Sequence, residues 1–78
     1  MAREQTIRIL AEMVANVIVV EVAVDERIAA GDTVCLLESM KMEIPVLAET
    51  DGVVSAIKVA PGDVVQEGDI LVELTAPR

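Results

Sequence analysis

The chain contains an internal repeat, and this repeat constrains its fold more than any other feature of the sequence. Residues 7–38 align with residues 44–75 at a shift of 37 positions, and 10 of the 32 aligned pairs are identical. Gly31-Asp32 falls on Gly68-Asp69, and several of the other pairs exchange one apolar residue for another. Because similar sequences form similar structural units, two related halves are expected. Residues 39–43 have no counterpart in the alignment.

Apolar, β-branched clusters recur along the chain at the length of short strands. They lie at residues 7–10, 17–24, 34–37, 44–47, 53–59 and 70–74. Turn-forming residues separate the clusters, for example Pro61-Gly62-Asp63. Short strands at this spacing predict an all-β sandwich or barrel. No segment keeps a 3.6-residue period, so we predict no long helix and at most one weak helical turn at residues 25–30.

Each half of the repeat is predicted to be a four-stranded unit with one buried and one exposed face. Residues 20–22 and 57–59 alternate apolar and charged side chains, as half-buried strands do. Two such units can cover each other's apolar faces. We therefore expect two four-stranded antiparallel sheets in a flattened β-barrel or sandwich with pseudo-twofold symmetry, which form a single domain over residues 1–78.

The predicted symmetry has consequences for individual residues. Equivalent buried positions are expected for Val17 with Val54 and for Leu37 with Leu74. The segment 39–43 joins the two repeats, so the symmetry places Lys41 at one end of the domain and both termini at the other. We expect residues 1–5 and 76–78 to be frayed.

The join between the repeats carries an unusual turn sequence. A strand runs to Glu38 and another follows Glu43, so Met40-Lys41 must form the centre of a tight hairpin. Such turns favour Asn-Gly or Asp-Gly, which tolerate positive φ. Departures from local rules occur most often at functional sites. A lysine at a hairpin tip is usually a solvated charge, however, so the residues alone leave a modification site and a recognition tip both open.

Composition excludes several classes of function. With no histidine or tyrosine and only Cys35 as a thiol, the chain cannot form a Ser/His/Asp triad or a Cys/His pair, and we predict no catalytic or metal site. Cys35 aligns with Val72 and is expected in the core. The net charge of −8 argues against nucleic acid as a partner. We find no signal peptide or membrane-length apolar run, and we predict a cytoplasmic protein.

The segment from Glu38 to Glu43, with the sequence Glu-Ser-Met-Lys-Met-Glu, resembles the biotin attachment motif of biotin carboxyl carrier domains, Glu-Ala-Met-Lys-Met. The resemblance extends over about residues 14–74 and includes Pro61-Gly62-Asp63 and Glu67-Gly68-Asp69. At this length the chain is similar to the stand-alone members of the biotin/lipoyl attachment family. The family fold is a flattened barrel of two four-stranded sheets with the lysine at an exposed hairpin. Ser39 replaces the commoner alanine, and Asp25-Glu26 replaces the usual Gly-Asp.

The resemblance implies a function in which the chain is not an enzyme. A biotin protein ligase would attach biotin covalently to Lys41, and Glu38, Ser39, Met40 and Met42 would form the surface around it. The cofactor would then carry a carboxyl group from a biotin carboxylase to a carboxyltransferase, and the domain is expected to be a monomer. A lipoyl carrier is the alternative, although lipoyl members usually have Asp-Lys-Ala at this point. An unmodified recognition module that uses the Met-Lys-Met hairpin is a second alternative.

Overall fold

The computed structural model describes residues 4–77, and in this range the chain forms eight β-strands and no helix. The strands are β1 (Glu4–Leu10), β2 (Ala15–Val20), β3 (Arg27–Ile28), β4 (Thr33–Ser39), β5 (Met42–Leu47), β6 (Gly52–Ile57), β7 (Val64–Val65) and β8 (Ile70–Pro77). Each of the six long strands overlaps one of the six apolar clusters of the sequence. The prediction of an all-β fold is therefore confirmed.

The strands form two antiparallel sheets of four strands each, as predicted. The first has the strand order β5-β4-β2-β7 and contains the β4–β5 hairpin, so we name it the hairpin sheet. The second has the order β1-β8-β6-β3 and contains the two ends of the described chain, so we name it the terminal sheet. A shift of 37 residues maps each strand of one sheet onto a strand of the other, which confirms the pseudo-twofold relation.

The prediction that each repeat forms its own four-stranded unit is wrong. The hairpin sheet takes β2 and β4 from the first repeat and β5 and β7 from the second, and the terminal sheet is equally mixed. The chain crosses from one sheet to the other at almost every connection. Backbone hydrogen bonds from Ala11 N to Asp69 O at 2.9 Å and from Val17 N to Asp63 O at 2.8 Å tie the two repeats together. Neither repeat can therefore satisfy its backbone alone.

The boundaries of some elements also differ from the prediction. The strand expected over residues 17–24 ends at Val20, and the one expected over 53–59 ends at Ile57. Residues 25–30 contain β3 and no helical turn. β3 and its equivalent β7 have two residues each, which is too short for any periodicity to appear in the sequence. Neighbouring strands hold them in place, since Ile28 pairs with Gly52 and Val65 pairs with Ala15.

The expected fraying of the chain ends is wrong for the residues that the structure describes. β1 begins at Glu4 and pairs with β8 as far as Pro77. The pairing of Gln5 with Ala76 is the symmetry equivalent of the pairing of Met42 with Ser39 at the hairpin. The two ends of the sheet thus meet as the two arms of the hairpin do. Residues 1–3 and 78 lie outside the described residues.

The core between the sheets is entirely aliphatic apart from one thiol. Fully buried side chains are Val34, Cys35, Leu37, Val54, Leu71, Val72 and Leu74. Both predicted pairs of equivalent positions are buried, Val17 with Val54 and Leu37 with Leu74, and Cys35 lies in the core as its alignment with Val72 predicts. Burial of each large aliphatic side chain contributes about 2 kcal/mol. This packing anchors the hairpin sheet in the core.

Four tight turns share one hydrogen-bonding pattern, in which a carboxylate accepts a bond from the backbone N–H three residues earlier. The donor and acceptor pairs are Ala23 with Glu26, Ala29 with Asp32, Ala60 with Asp63 and Gln66 with Asp69, each at 2.9 Å. The residue before each carboxylate has positive φ: 75° at Asp25, 94° at Gly31, 94° at Gly62 and 92° at Gly68. These are the values of type II turns, which favour glycine at this position. Asp25 is the one departure.

Candidate functional site

The β4–β5 hairpin positions Lys41 at the tip of the hairpin sheet. Ser39 pairs with Met42 at the ends of the two strands, so only Met40 and Lys41 form the connection. Both have positive φ, 52° at Met40 and 66° at Lys41. Positive φ at both central residues is the mark of a type I′ turn, whose twist matches that of the flanking strands. The tight two-residue hairpin expected from the sequence is therefore confirmed.

The turn is strained for residues of these types. Neither residue is glycine, asparagine or aspartate, and a side chain in the left-handed region costs about 1 kcal/mol. The strands persist because Leu37 on β4 is buried in the core and anchors the hairpin. Strain of this kind is tolerated where the surrounding structure fixes the backbone, and it concentrates at functional sites. The anchored strands therefore place Lys41 at the exposed end of the hairpin sheet.

The side chains of the tip lie in solvent. Met40 is 91 % exposed and Met42 is 64 % exposed, although thioether side chains normally fill gaps in a core. Lys41 and Glu38 are exposed, and Ser39 is half-buried. Two apolar side chains thus flank an accessible amine. The structure brings all five residues that the sequence indicated as a site into this one hairpin.

Acidic side chains lie beside the hairpin without neutralising its amine. Glu38 and Glu43 are directly opposite each other on β4 and β5, a pairing of like charges that costs stability. Within residues 4–77 the one ion pair joins Arg8 Nε to Glu73 Oε2 at 3.1 Å in the terminal sheet. The ammonium group of Lys41 is therefore not held by a carboxylate of the described chain. The Lys41 side chain is therefore exposed and accessible at the hairpin tip.

Sequence reasoning did not assign a role to two residues near the tip. Glu43 faces Glu38 across the hairpin, and Asn16 on β2 pairs with Glu38 from the other side. A two-residue hairpin fixes its own register, so the facing of residues 38 and 43 could have been deduced from the turn alone. The approach of Asn16 could not, because it depends on the order of strands in the sheet.

The thiol of Cys35 lies away from the hairpin tip and is not reactive. Cys35 is fully buried, and desolvation raises the pKa of its thiol from 9.0 to about 11, so the nucleophilic thiolate is scarce at neutral pH. Residues 4–77 contain no cluster of three His, Cys, Asp or Glu side chains placed to hold a metal ion. They also contain no helix long and apolar enough to cross a membrane.

Comparison with known families identifies the fold and the hairpin together. Residues 8–74 match the model of the Biotin_lipoyl family, described as "Biotin-requiring enzyme". This match covers most of the chain, with Lys41 inside it. The chain belongs to this family, as the motif around Lys41 predicted.

Curated relatives of similar length have a high level of identity to this chain. The "Biotinylated protein TB7.3 homolog" of Mycobacterium leprae is 54 % identical over 61 residues, which cover 78 % of this chain and 86 % of that protein. The "Biotin/lipoyl attachment protein" of Bacillus subtilis is 45 % identical over 64 residues, which cover 82 % of this chain and 88 % of that protein.

Larger proteins contain a similar region as a small part of their length. The "Biotin-dependent acyl-coenzyme A carboxylase alpha3 subunit" of Mycobacterium leprae is 38 % identical over 66 residues, which are 85 % of this chain but 11 % of that protein. Among solved structures, the urea carboxylase of Kluyveromyces lactis superposes with a TM-score of 0.84 at 30 % identity over 90 % of this chain and 6 % of that one. The fold predicted from the repeat is thus the fold of a domain found in carboxylases.

Proposed function

We propose that this chain is a biotinyl carrier and that Lys41 is the residue that carries the cofactor. The observation that supports the proposal most is an exposed, unpaired amine at the tip of a two-residue hairpin, in a chain that matches a family described as "Biotin-requiring enzyme". A carrier needs an attachment point and no catalytic groups, which agrees with the residues present. The chain therefore acts as a cofactor-bearing module and not as an enzyme.

The residues of the hairpin fit covalent attachment through an amide bond. A lysine amine is protonated in water at neutral pH, so the ligase must remove one proton from Nζ before the reaction. Nζ then attacks the activated carboxyl carbon, the activating group leaves, and an amide forms at Lys41. Arginine cannot replace lysine here, because its guanidinium is not deprotonated in proteins and is no comparable nucleophile. Bound biotin would supply the capacity to carry a carboxyl group.

Each neighbour of Lys41 has a distinct contribution to this role. The positive φ of Met40 and Lys41 allows a turn of only two residues, and the pairing of Ser39 with Met42 closes this turn. The exposed thioethers of Met40 and Met42 offer a flexible apolar surface on either side of the amine. Glu38 contributes negative charge on one side of the hairpin. Together they present a tip that a modifying enzyme can recognise.

The partners implied by this role are enzymes that act on the hairpin. Similar domains lie within biotin-dependent carboxylases, so carboxylase components are the partners in general. A biotin protein ligase would load Lys41, and a biotin carboxylase and a carboxyltransferase would use the loaded arm in turn. Two active sites can share one flexible arm without tight docking, because a tethered group has a high effective concentration.

Intact mass spectrometry after co-expression with a biotin protein ligase tests the assignment directly. We expect one biotin adduct on the wild-type chain and none on Lys41→Arg. Lys58 is the one other lysine in the sequence, so Lys58→Arg is the matched control and should still carry the adduct. An unmodified wild-type chain under these conditions would leave a recognition module as the function. An adduct of lipoyl mass would instead identify a lipoyl carrier.

A further inference from the structure

The pseudo-twofold symmetry allows the outer faces of the two sheets to be compared position by position. In the terminal sheet, three neighbouring outer positions are Ala56, Glu73 and Arg8, which pair across β6, β8 and β1. Arg8 and Glu73 form the ion pair at 3.1 Å. The hydroxyl of Ser55 donates to the backbone carbonyl of Glu73 at 3.1 Å. This face is polar, as a sheet face in contact with water normally is.

The equivalent positions of the hairpin sheet are all apolar. Val19, Leu36 and Pro45 pair across β2, β4 and β5 where the other sheet has Ala56, Glu73 and Arg8, and Ile18 replaces Ser55. We name Ile18, Val19, Leu36 and Pro45 the apolar band. Pro45 is exposed, Ile18 is 37 % exposed, and Val19 and Leu36 are half-buried. The fold does not require this band, because the same backbone carries a polar face on the other side.

The charges of the two sheets differ in the same way. The strands of the terminal sheet contain Glu4, Arg8, Arg27 and Glu73, so positive and negative charges balance. The strands of the hairpin sheet contain only two charged residues, Glu38 and Glu43. These two face each other between the apolar band and the hairpin turn. The hairpin sheet thus presents an acidic pair next to an apolar surface, which is complementary to a partner with a basic rim around an apolar centre.

We propose that the apolar band, together with Glu38 and Glu43, is the surface on which the biotin protein ligase docks. The inference rests on the proposed function, and it specifies which face of the domain the ligase reads. The band lies on the two strands that end at the Met40-Lys41 turn, so the docking surface is continuous with the reacting side chain. The terminal sheet takes no part.

The reach of the lysine side chain favours the ligase as the occupant over the carboxylase components. Before modification, Nζ is separated from the hairpin backbone by only four methylene groups. The ligase must therefore bring its active site up against the turn. In that position the ligase also covers the neighbouring outer face of the hairpin sheet. After modification the arm is longer, so a carboxylase site can be reached with fewer contacts to the body of the domain.

An exchange of residues between symmetry-related positions tests this surface. The variant Leu36→Glu/Pro45→Arg transplants the ion pair of the terminal sheet onto the band with no change in net charge. We expect the KM for biotinylation by a purified biotin protein ligase to rise about tenfold with kcat within about twofold, because ground-state and transition-state contacts are lost together. At high ligase concentration Lys41 should still be modified completely, which shows that the acceptor is intact.

The reciprocal variant Glu73→Leu/Arg8→Pro is the matched control, because it makes the same exchange on the terminal sheet. We expect its KM to stay at the wild-type value, and urea unfolding should show that both variants are folded. An unchanged KM in the first variant, or an equal rise in both, would overturn the proposal. A wild-type dimer that the first variant dissociates would also overturn it, since a second copy would then be the occupant. A wild-type chain without any biotin would instead refute the proposed function.

Discussion

At the scale of single residues, Asp25 is the least favourable choice in an otherwise regular set of turns. Its φ of 75° lies where Gly31, Gly62 and Gly68 have φ between 92° and 94°. We expect Asp25→Gly to raise the free energy of unfolding by about 0.5 kcal/mol, because relief of the left-handed strain exceeds the added entropy of the unfolded chain. Gly62 is the symmetry equivalent of Asp25, so Gly62→Asp should lower stability. Urea unfolding of both variants measures the two effects, and a loss of stability in Asp25→Gly would contradict this account.

Because of Cys35, the free energy of unfolding is expected to fall at alkaline pH. Burial raises the pKa of its thiol to about 11, so the folded state retains a proton that the unfolded state loses above pH 9.0. The contribution of the protonated Cys35 thiol to the free energy of unfolding is complete below pH 9.0, and it is lost as the pH rises through 11. By pH 10.5 the loss should reach about 2 kcal/mol, since one pKa unit corresponds to about 1.4 kcal/mol.

The variant Cys35→Val separates this effect from other alkaline titrations, because valine occupies the equivalent position 72. Denaturant unfolding at pH 8 and pH 10.5 should show the loss in the wild-type protein and a smaller one in the variant. Equal losses in both proteins would assign the pH dependence to the lysines instead.

At the scale of elements, the sequence predicts strands well where packing is local and poorly where it is not. The six long strands can be predicted from runs of β-branched residues. The hairpin can be predicted because only two residues lie between Ser39 and Met42. β3 and β7 were missed because two residues carry no period and their pairing partners lie in the other repeat. The mixing of strands from both repeats in each sheet was also missed. The repeat shows which strands are equivalent, but it does not show which strands pair with each other.

Met40 in the hairpin is expected to lower the stability of the fold and to contribute to recognition by the ligase. Met40 has a φ of 52° and is 91 % exposed, so it contributes strain and little packing. We expect Met40→Asn to raise the free energy of unfolding by about 0.5 to 1 kcal/mol, because asparagine tolerates this conformation. The same variant should be biotinylated more slowly, since a thioether at the tip is lost. Urea unfolding and ligase kinetics on one sample measure both changes. Greater stability with an unchanged rate would show that Met40 has no part in recognition.

At the scale of the whole molecule, the two halves are equivalent, and the pairing of β1 with β8 repeats the pairing of β4 with β5. The ends of β1 and β8 meet in the register of the β4–β5 hairpin, with Gln5 opposite Ala76 as Met42 is opposite Ser39. A two-residue Asn-Gly link from Ala76 to Gln5 should therefore form a second hairpin without distortion of the terminal sheet. New ends can be placed between Glu49 and Thr50, which lie outside the strands.

We expect this circular permutant to fold cooperatively and to accept biotin at Lys41. The order of the halves along the chain is immaterial if both sheets and all cross-sheet hydrogen bonds are preserved. A permutant opened between Val54 and Ser55 is the control, because that cut divides β6 and exposes the buried side chain of Val54. Circular dichroism with urea unfolding measures folding, and intact mass measures modification. If the first permutant is unfolded, the Asn-Gly link between β8 and β1 does not form a second hairpin, and the symmetry of the pairing does not extend to these ends. If it folds but loses the biotin adduct, the hairpin depends on the connection between β5 and β6 more than on its own register.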